Sequence, residues 1–220
     1  EPPPIPVVPG AGNAQTVWFE LVRSDKDNGQ TDALTTTGYN TNSGLIDLNQ
    51  DREIKTQANL NVRDPSLLAP YVDFVAVWLN REWDDGRTVQ RDQLGLFGLR
   101  VPPGTRTVER ADAVYTGYDL TATLARYAFT EAYNIAASAN YVTAVLDILD
   151  LAGFTRAAIE PTSTVTPAVV SFPVGTTYLA ACNTLLQSIG YYTLACLPDG
   201  TFFSMPTRPL HLAQPYRVIT

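Results

Sequence analysis

Apolar residues recur at every second position through the first half of this chain and at every third or fourth through the second half. That change of period constrains the fold more than any other feature, because period two belongs to half-buried strands and a period near 3.6 to amphipathic helices. From Thr16, Val17, Phe19 and Leu21 alternate with Trp18, Glu20 and Val22, and Asn28-Gly29 supplies a turn signal. The pattern continues through Leu45–Leu48, Glu53–Val62, Tyr71–Leu79 and Gln93–Val101. Short alternating segments separated by turn residues predict an antiparallel β-barrel or sandwich over residues 16–115. Residues 1–15 precede it as a proline-rich segment, expected to be extended.

After Tyr115 the spacing turns helical. A helix is expected over Tyr118–Tyr127 with Asp119 as its cap, a second over Asn140–Leu151 ending at Gly153, and a third over Thr177–Ile189 ending at Gly190. Tyr191–Leu197 and Thr201–Met205 flank Pro198-Asp199-Gly200, the signature of a tight hairpin. A repeat lies within this half. Tyr141 and Tyr178 each stand twelve residues before a glycine, and at the same offset Ala144 meets Ala181, Ile148 meets Leu185, and Tyr133-Asn134-Ile135 meets Val170-Ser171-Phe172. Two strand-helix units therefore recur 37 residues apart, fewer than the three copies a solenoid needs. The expected fold class is α+β: an N-terminal antiparallel β-barrel or sandwich, then a small duplicated α+β module over residues 116–210. Residues 211–220, with Tyr216–Ile219 reading as a strand, would start a further domain.

The formal net charge is −7, and Lys26 and Lys55 are the only lysines. That composition argues against sequence-specific nucleic-acid binding, which needs clustered cations to displace counterions from phosphates. It also offers no polybasic run for anionic lipid. No stretch has the apolar length of a membrane helix, so no stable membrane insertion is expected. The start, Glu1-Pro2-Pro3-Pro4-Ile5-Pro6, lacks the basic region of a signal peptide. The start without Met and the strand-like end read as a piece of a longer polypeptide. Cys182 and Cys196, the only cysteines, read as small buried hydrophobes, with a disulfide as the alternative.

No residue pattern supports catalysis, a cofactor or a metal. Glu82, Asp84 and Asp85, with Arg81 and Arg87, crowd one turn, whereas glycosidase carboxylates face each other across a separation of roughly 5–10 Å. They read as a solvated hairpin connection. Ser24–Gly29 misplaces the glycine and the closing glutamate of a calcium loop, and an Asn-Gly turn explains it better. His211, the sole histidine, sits between prolines with no nucleophile elbow in the chain. Gly95 and Gly98 lie inside a strand run, where glycine marks a bulge or a close backbone approach. Trp18, Trp78 and Trp83, with Tyr39 and Tyr71, fit core or interface anchors, or alternatively a sugar-stacking platform. The sequence reads as that of a non-enzymatic protein that works through its surfaces.

One order of features adds to this. Gly117-Tyr118-Asp119-Leu120 follows the expected barrel. Asn140-Tyr141-Val142-Thr143-Ala144-Val145-Leu146-Asp147-Ile148-Leu149, Gly153-Phe154 and Val174–Ala181 come next, then a hairpin from Tyr191 through Asp199-Gly200 to Phe203. This series, spanning about residues 16–207, resembles phage minor tail proteins of the baseplate-hub type, found in long-tailed phages, particularly those of actinobacterial hosts. The resemblance implies a structural virion protein at the tail tip, assembled in the host cytoplasm. Such a protein self-associates into a ring, a trimer, and joins the tail tube to distal tail, tape measure and other tip proteins around a DNA-conducting lumen. Two barrels per chain would match a trimer to a hexameric tube. Only one is legible here, and the second would lie past Thr220. Alternatives are a carbohydrate-binding tail or surface module, and another ring such as a distal tail protein or a secretion-needle hub.

Overall fold

The computed structural model describes residues 15–33, 45–49, 52–62, 74–83, 90–100 and 113–207. Among the described residues seven strands build the first half: β1 (Gln15–Ser24), β2 (Gln30–Ala33), β3 (Leu45–Leu48), β4 (Thr56–Val62), β5 (Phe74–Trp83), β6 (Gln90–Arg100) and β7 (Ala113–Tyr118). They form one antiparallel sheet in the order β2-β1-β5-β6-β7-β4-β3. Among the described residues β2 and β3 are its edges. Seven antiparallel strands leave the outer two running in the same direction, so closure by a β2–β3 pair would have to be parallel. The period-two pattern placed most of these strands but missed β2 and β7, and β4 begins at Thr56 rather than Glu53, because residues 52–54 bend while the Asn49 N–H bonds the Lys55 carbonyl.

Both faces of the sheet are buried, each in its own cluster. Leu21, Ala58, Leu60, Val75, Val77, Phe97, Leu99 and Tyr115 pack on one face with Ile46 of β3 beside them, all of them sheet residues. The ring of Phe97 dictates the glycines around it. A Cβ on Gly95 would stand 2.4 Å from Phe97 Cζ, and one on Gly117 would stand 2.9 Å from Phe97 Cβ. The pairing of β5 with β6 also shifts register between Val77 and Trp78, so Gly95 adjoins a bulge. Gly95 therefore does both things its position suggested.

Val22, Ala76 and Leu96 emerge on the opposite face, and there they join a second, larger core with the rest of the chain. That part comprises α1 (Thr121–Arg126), β8 (Tyr133–Ile135), α2 (Tyr141–Leu151), β9 (Ala157–Ile159), β10 (Val170–Phe172), α3 (Tyr178–Ser188), β11 (Ala195–Cys196) and β12 (Phe202–Ser204). The hairpin turn is pressed onto the sheet: a Cβ on Gly200, at φ +89°, would lie 2.8 Å from a Leu96 methyl. Strand β11 is shorter than the run Tyr191–Leu197 suggested, Tyr191 making only an isolated bridge to Pro206. Strand β12 pairs on its other side with β9, in parallel.

The 37-residue repeat is a structural duplication. Strands β8 and β10, which occupy matching positions, pair antiparallel with Phe172 opposite Tyr133 and Val170 opposite Ile135. Helices α2 and α3 begin and end at matching residues, and their caps, Asn140 and Thr177, each accept a hydrogen bond from a first-turn N–H. Gly153 and Gly190 close them at φ +77° and +71°, where a Cβ would be strained.

The two units also brace each other reciprocally. The Phe129 N–H donates to Thr176 O at 3.0 Å, and its counterpart, the Thr166 N–H, donates to Ala139 O at 2.8 Å. The Gly175 N–H donates to Phe129 O at 2.9 Å, matched by the Ser138 N–H to Thr166 O at 2.8 Å. The Tyr178 N–H reaches Tyr127 O, as the Tyr141 N–H reaches Thr164 O. Each unit thus supplies the segment that satisfies the backbone ahead of the other unit's helix, a local two-fold arrangement within one chain.

Candidate interaction surface

Polar contacts between sheet and module gather on a few side chains. Asp119 caps α1 as expected and has a second role. Leu120 is already helical at φ −66° and ψ −18°, so the Asp119 carboxylate caps α1 by accepting the Thr121 N–H at 2.9 Å, and it also accepts the Thr56 N–H of β4 at 2.9 Å. The Thr121 hydroxyl donates to it as well. Its own N–H donates to Thr56 O, so the start of α1 is stitched to β4 in both directions. Burial raises the Asp119 pKa above the ordinary carboxylate value, against the pull of these hydrogen bonds.

Both lysines of the chain serve the same seam. Lys26, in the β1–β2 turn, donates to Gly153 O and lies 5.6 Å from the centre of the Phe154 ring. Lys55 donates to Thr193 Oγ1 at 2.6 Å and to Thr193 O at 3.1 Å; desolvation lowers its pKa, with Asp119 opposing. Arg156 donates to Asp199 Oδ2 at 2.8 Å, Asp199 O at 2.7 Å and Asp27 O at 3.2 Å, tying the hairpin turn to the β1–β2 turn. Burial works to raise Asp199, but bonds from Thr201 and the charge of Arg156 outweigh it and hold its pKa below the usual value.

A cavity of about 270 Å³ opens where β6, β7 and α1 meet the end of α2. Lys26, Arg100 and Arg126 line it together with Phe74, Tyr118 and Tyr127. The Arg100 guanidinium stacks 4.6 Å from the centre of the Tyr118 ring. Elsewhere, β3 at the sheet edge exposes Leu45 and Leu48, 61% and 75% accessible.

The residues weighed in the sequence fall as follows. Ser24–Gly29 is a turn: the Asp25 carboxylate accepts the Asp27 and Gly29 N–H groups, and Asn28 takes φ +62°. Among the described residues no cluster of three His, Cys, Asp or Glu side chains could hold a metal. Glu82 and Trp83 end β5, while Asp84, Asp85, Arg87, Tyr39, Tyr71, His211 and Tyr216–Thr220 lie outside the described residues. Arg81 pairs with Asp92 at 3.6 Å. Trp78 is half-buried with Arg91 stacked 4.1 Å from its ring centre, so that ring face is already covered by a side chain rather than offered to a sugar. Both cysteines are free thiols, Cys182 buried and Cys196 half-buried, and desolvation pushes each pKa up to about 12. Arg100 and Arg156 were not legible as contact residues. Their partners stand on other strands and turns, and no local spacing announces them.

No family profile and no curated protein matches the chain. Its fold is that of phage tail proteins. A tail protein from Neisseria meningitidis MC58 superposes with a TM-score of 0.55 and 11% identity, covering 84% of this chain and 50% of that one. The 43 kDa tail protein of prophage MuSo2 from Shewanella oneidensis gives 0.50 and 10% identity, covering 87% and 56%. This chain therefore spans about half the length of those two proteins.

Proposed function

We propose that this chain is a structural virion protein of a long-tailed phage, part of the hub ring at the tail tip, and that it has no catalytic role. The observation that carries the reading is the shared fold, which extends over more than four-fifths of the chain in both tail proteins and so includes sheet and duplicated module together. The sheet supports it physically. Two edge strands without partners among the described residues, one with outward leucines, are surfaces that a soluble protein protects and an assembly uses. In this reading neighbouring copies meet through those edges in a head-to-tail ring, the form that closes by rotation. The ring joins the tail tube to distal tail, tape measure and other tip proteins. An acidic chain lining the lumen lets DNA slide without sticking.

The test is the oligomeric state of the intact chain, by mass photometry followed by negative-stain imaging. A threefold ring with an open centre wide enough for duplex DNA is expected. A chain that stays monomeric, even when offered the neighbouring tail proteins, refutes the reading.

A further inference from the structure

The cavity at the seam has a chemistry that the fold does not require. Its three cations come from three separate elements: Lys26 from the β1–β2 turn, Arg100 from the end of β6 and Arg126 from the last turn of α1. The whole chain has only 15 Lys and Arg against 22 Asp and Glu, so this convergence runs against the composition. The carboxylates nearby are engaged. Asp119 is turned towards Thr56 and Thr121, and Asp27 pairs with Lys26 at 3.2 Å. Arg100 has no ion pair among the described residues. Its guanidinium is stacked on Tyr118, an arrangement that orients the fork while leaving its edge donors for an oxyanion.

Size and lining select among anionic ligands. About 270 Å³ falls just under the roughly 300–1,000 Å³ typical of small-molecule sites and suits a few side chains. A duplex presents its phosphates on a convex surface that cannot enter such a hollow. Phe74, Tyr118 and Tyr127 supply an apolar, aromatic wall beside the cations, as expected where a carboxylate and an adjacent apolar side chain are held together.

We propose that this cavity is a docking socket for an acidic peptide segment of a partner protein, with Arg100 as its principal carboxylate anchor. A carboxylate of the segment would take the Arg100 fork, a neighbouring apolar side chain would pack on the aromatic wall, and Lys26 and Arg126 would add longer-range positive charge while keeping the partners they already have. The socket does not depend on the ring proposed above, since it uses neither sheet edge.

The test is a titration of the isotope-labelled full chain, followed by backbone amide chemical shifts, with the blocked peptide acetyl-Glu-Asp-Leu-Glu-amide. Its neutral counterpart acetyl-Gln-Asn-Leu-Gln-amide, inorganic phosphate and an oligothymidylate are the comparison ligands. Saturable shifts confined to Arg100, Tyr118, Arg126 and Ala152 are expected for the acidic peptide. Arg100→Gln should weaken its binding at least tenfold, and Arg100→Lys should restore only part. The amide spectrum away from the cavity reports that both variants are folded. Equal binding of the neutral peptide, equal affinity for phosphate, tighter binding of the oligonucleotide, or no saturable shift would each overturn the proposal. Because the titration reads a single chain in solution, it can fail while the ring persists, or succeed while the ring does not form.

Discussion

Asp119 offers the sharpest test of how sheet and module are joined. It is almost fully buried, and its carboxylate is the acceptor for two backbone N–H groups and one hydroxyl. Replacing it with alanine leaves the Thr56 and Thr121 N–H groups without that acceptor, in a region water reaches poorly. Each orphaned donor costs about 1–3 kcal/mol, and removing a desolvated carboxylate returns part of that, so Asp119→Ala should destabilise the chain by about 2–4 kcal/mol. In a domain of this length that is a fall of roughly 6–12 °C in Tm. Asp119→Asn keeps one acceptor oxygen and should cost about half as much.

The pH dependence gives an independent check. Burial raises the folded pKa of Asp119 above 3.8, so the folded state holds its proton more tightly than the unfolded state. That contribution is complete below the unfolded pKa and is lost as pH rises through the folded one. The stability gap between wild type and Asp119→Asn should therefore be widest at the acid end of the accessible range and narrow towards neutrality. Urea unfolding of the three proteins from pH 4.5 to 7.5 measures it. A gap that widens with pH, or an alanine variant within about 0.5 kcal/mol of wild type, would refute the account of this residue.

Three further outcomes follow from the packing. Gly117→Ala forces a methyl to within 2.9 Å of Phe97 Cβ in a filled core and should cost about 1–3 kcal/mol in urea unfolding, and because leucine keeps that Cβ the double variant with Phe97→Leu should recover little of it. Asn140→Ala and Thr177→Ala should each cost about 1 kcal/mol by thermal melting, with Asn140→Ala the larger because its amide also donates to Thr162 O. Arg156→Ala removes a half-exposed ion pair with Asp199 worth at most about 1 kcal/mol. The pKa of Asp199 is depressed when folded, so its contribution is present above pH 3.8 and lost as pH falls through the folded value. NMR titration of the Asp199 carboxyl should show its pKa rising in the Arg156 variant.

What the sequence determined by itself is local. Alternation placed β1, β5 and β6, because a strand with one face in a core must repeat every two residues. Helical spacing with Gly153 and Gly190 placed α2 and α3, since only glycine takes the left-handed cap cheaply. The duplication was legible because matched units impose matched burial on Ala144 and Ala181, Ile148 and Leu185. The sequence did not carry the long-range pairing. Strand β4 lies beside β7, and each repeat unit braces the other's helix, through backbone groups that are chemically alike at every residue. Asp119 was legible as a helix cap, since an Asp before a helix accepts a first-turn N–H, and only the arrival of Thr56 from β4 made it a cross-link as well. The cation-lined cavity is the extreme case. Lys26, Arg100 and Arg126 are scattered along the chain, and only the packing of module on sheet brings their charges to one opening.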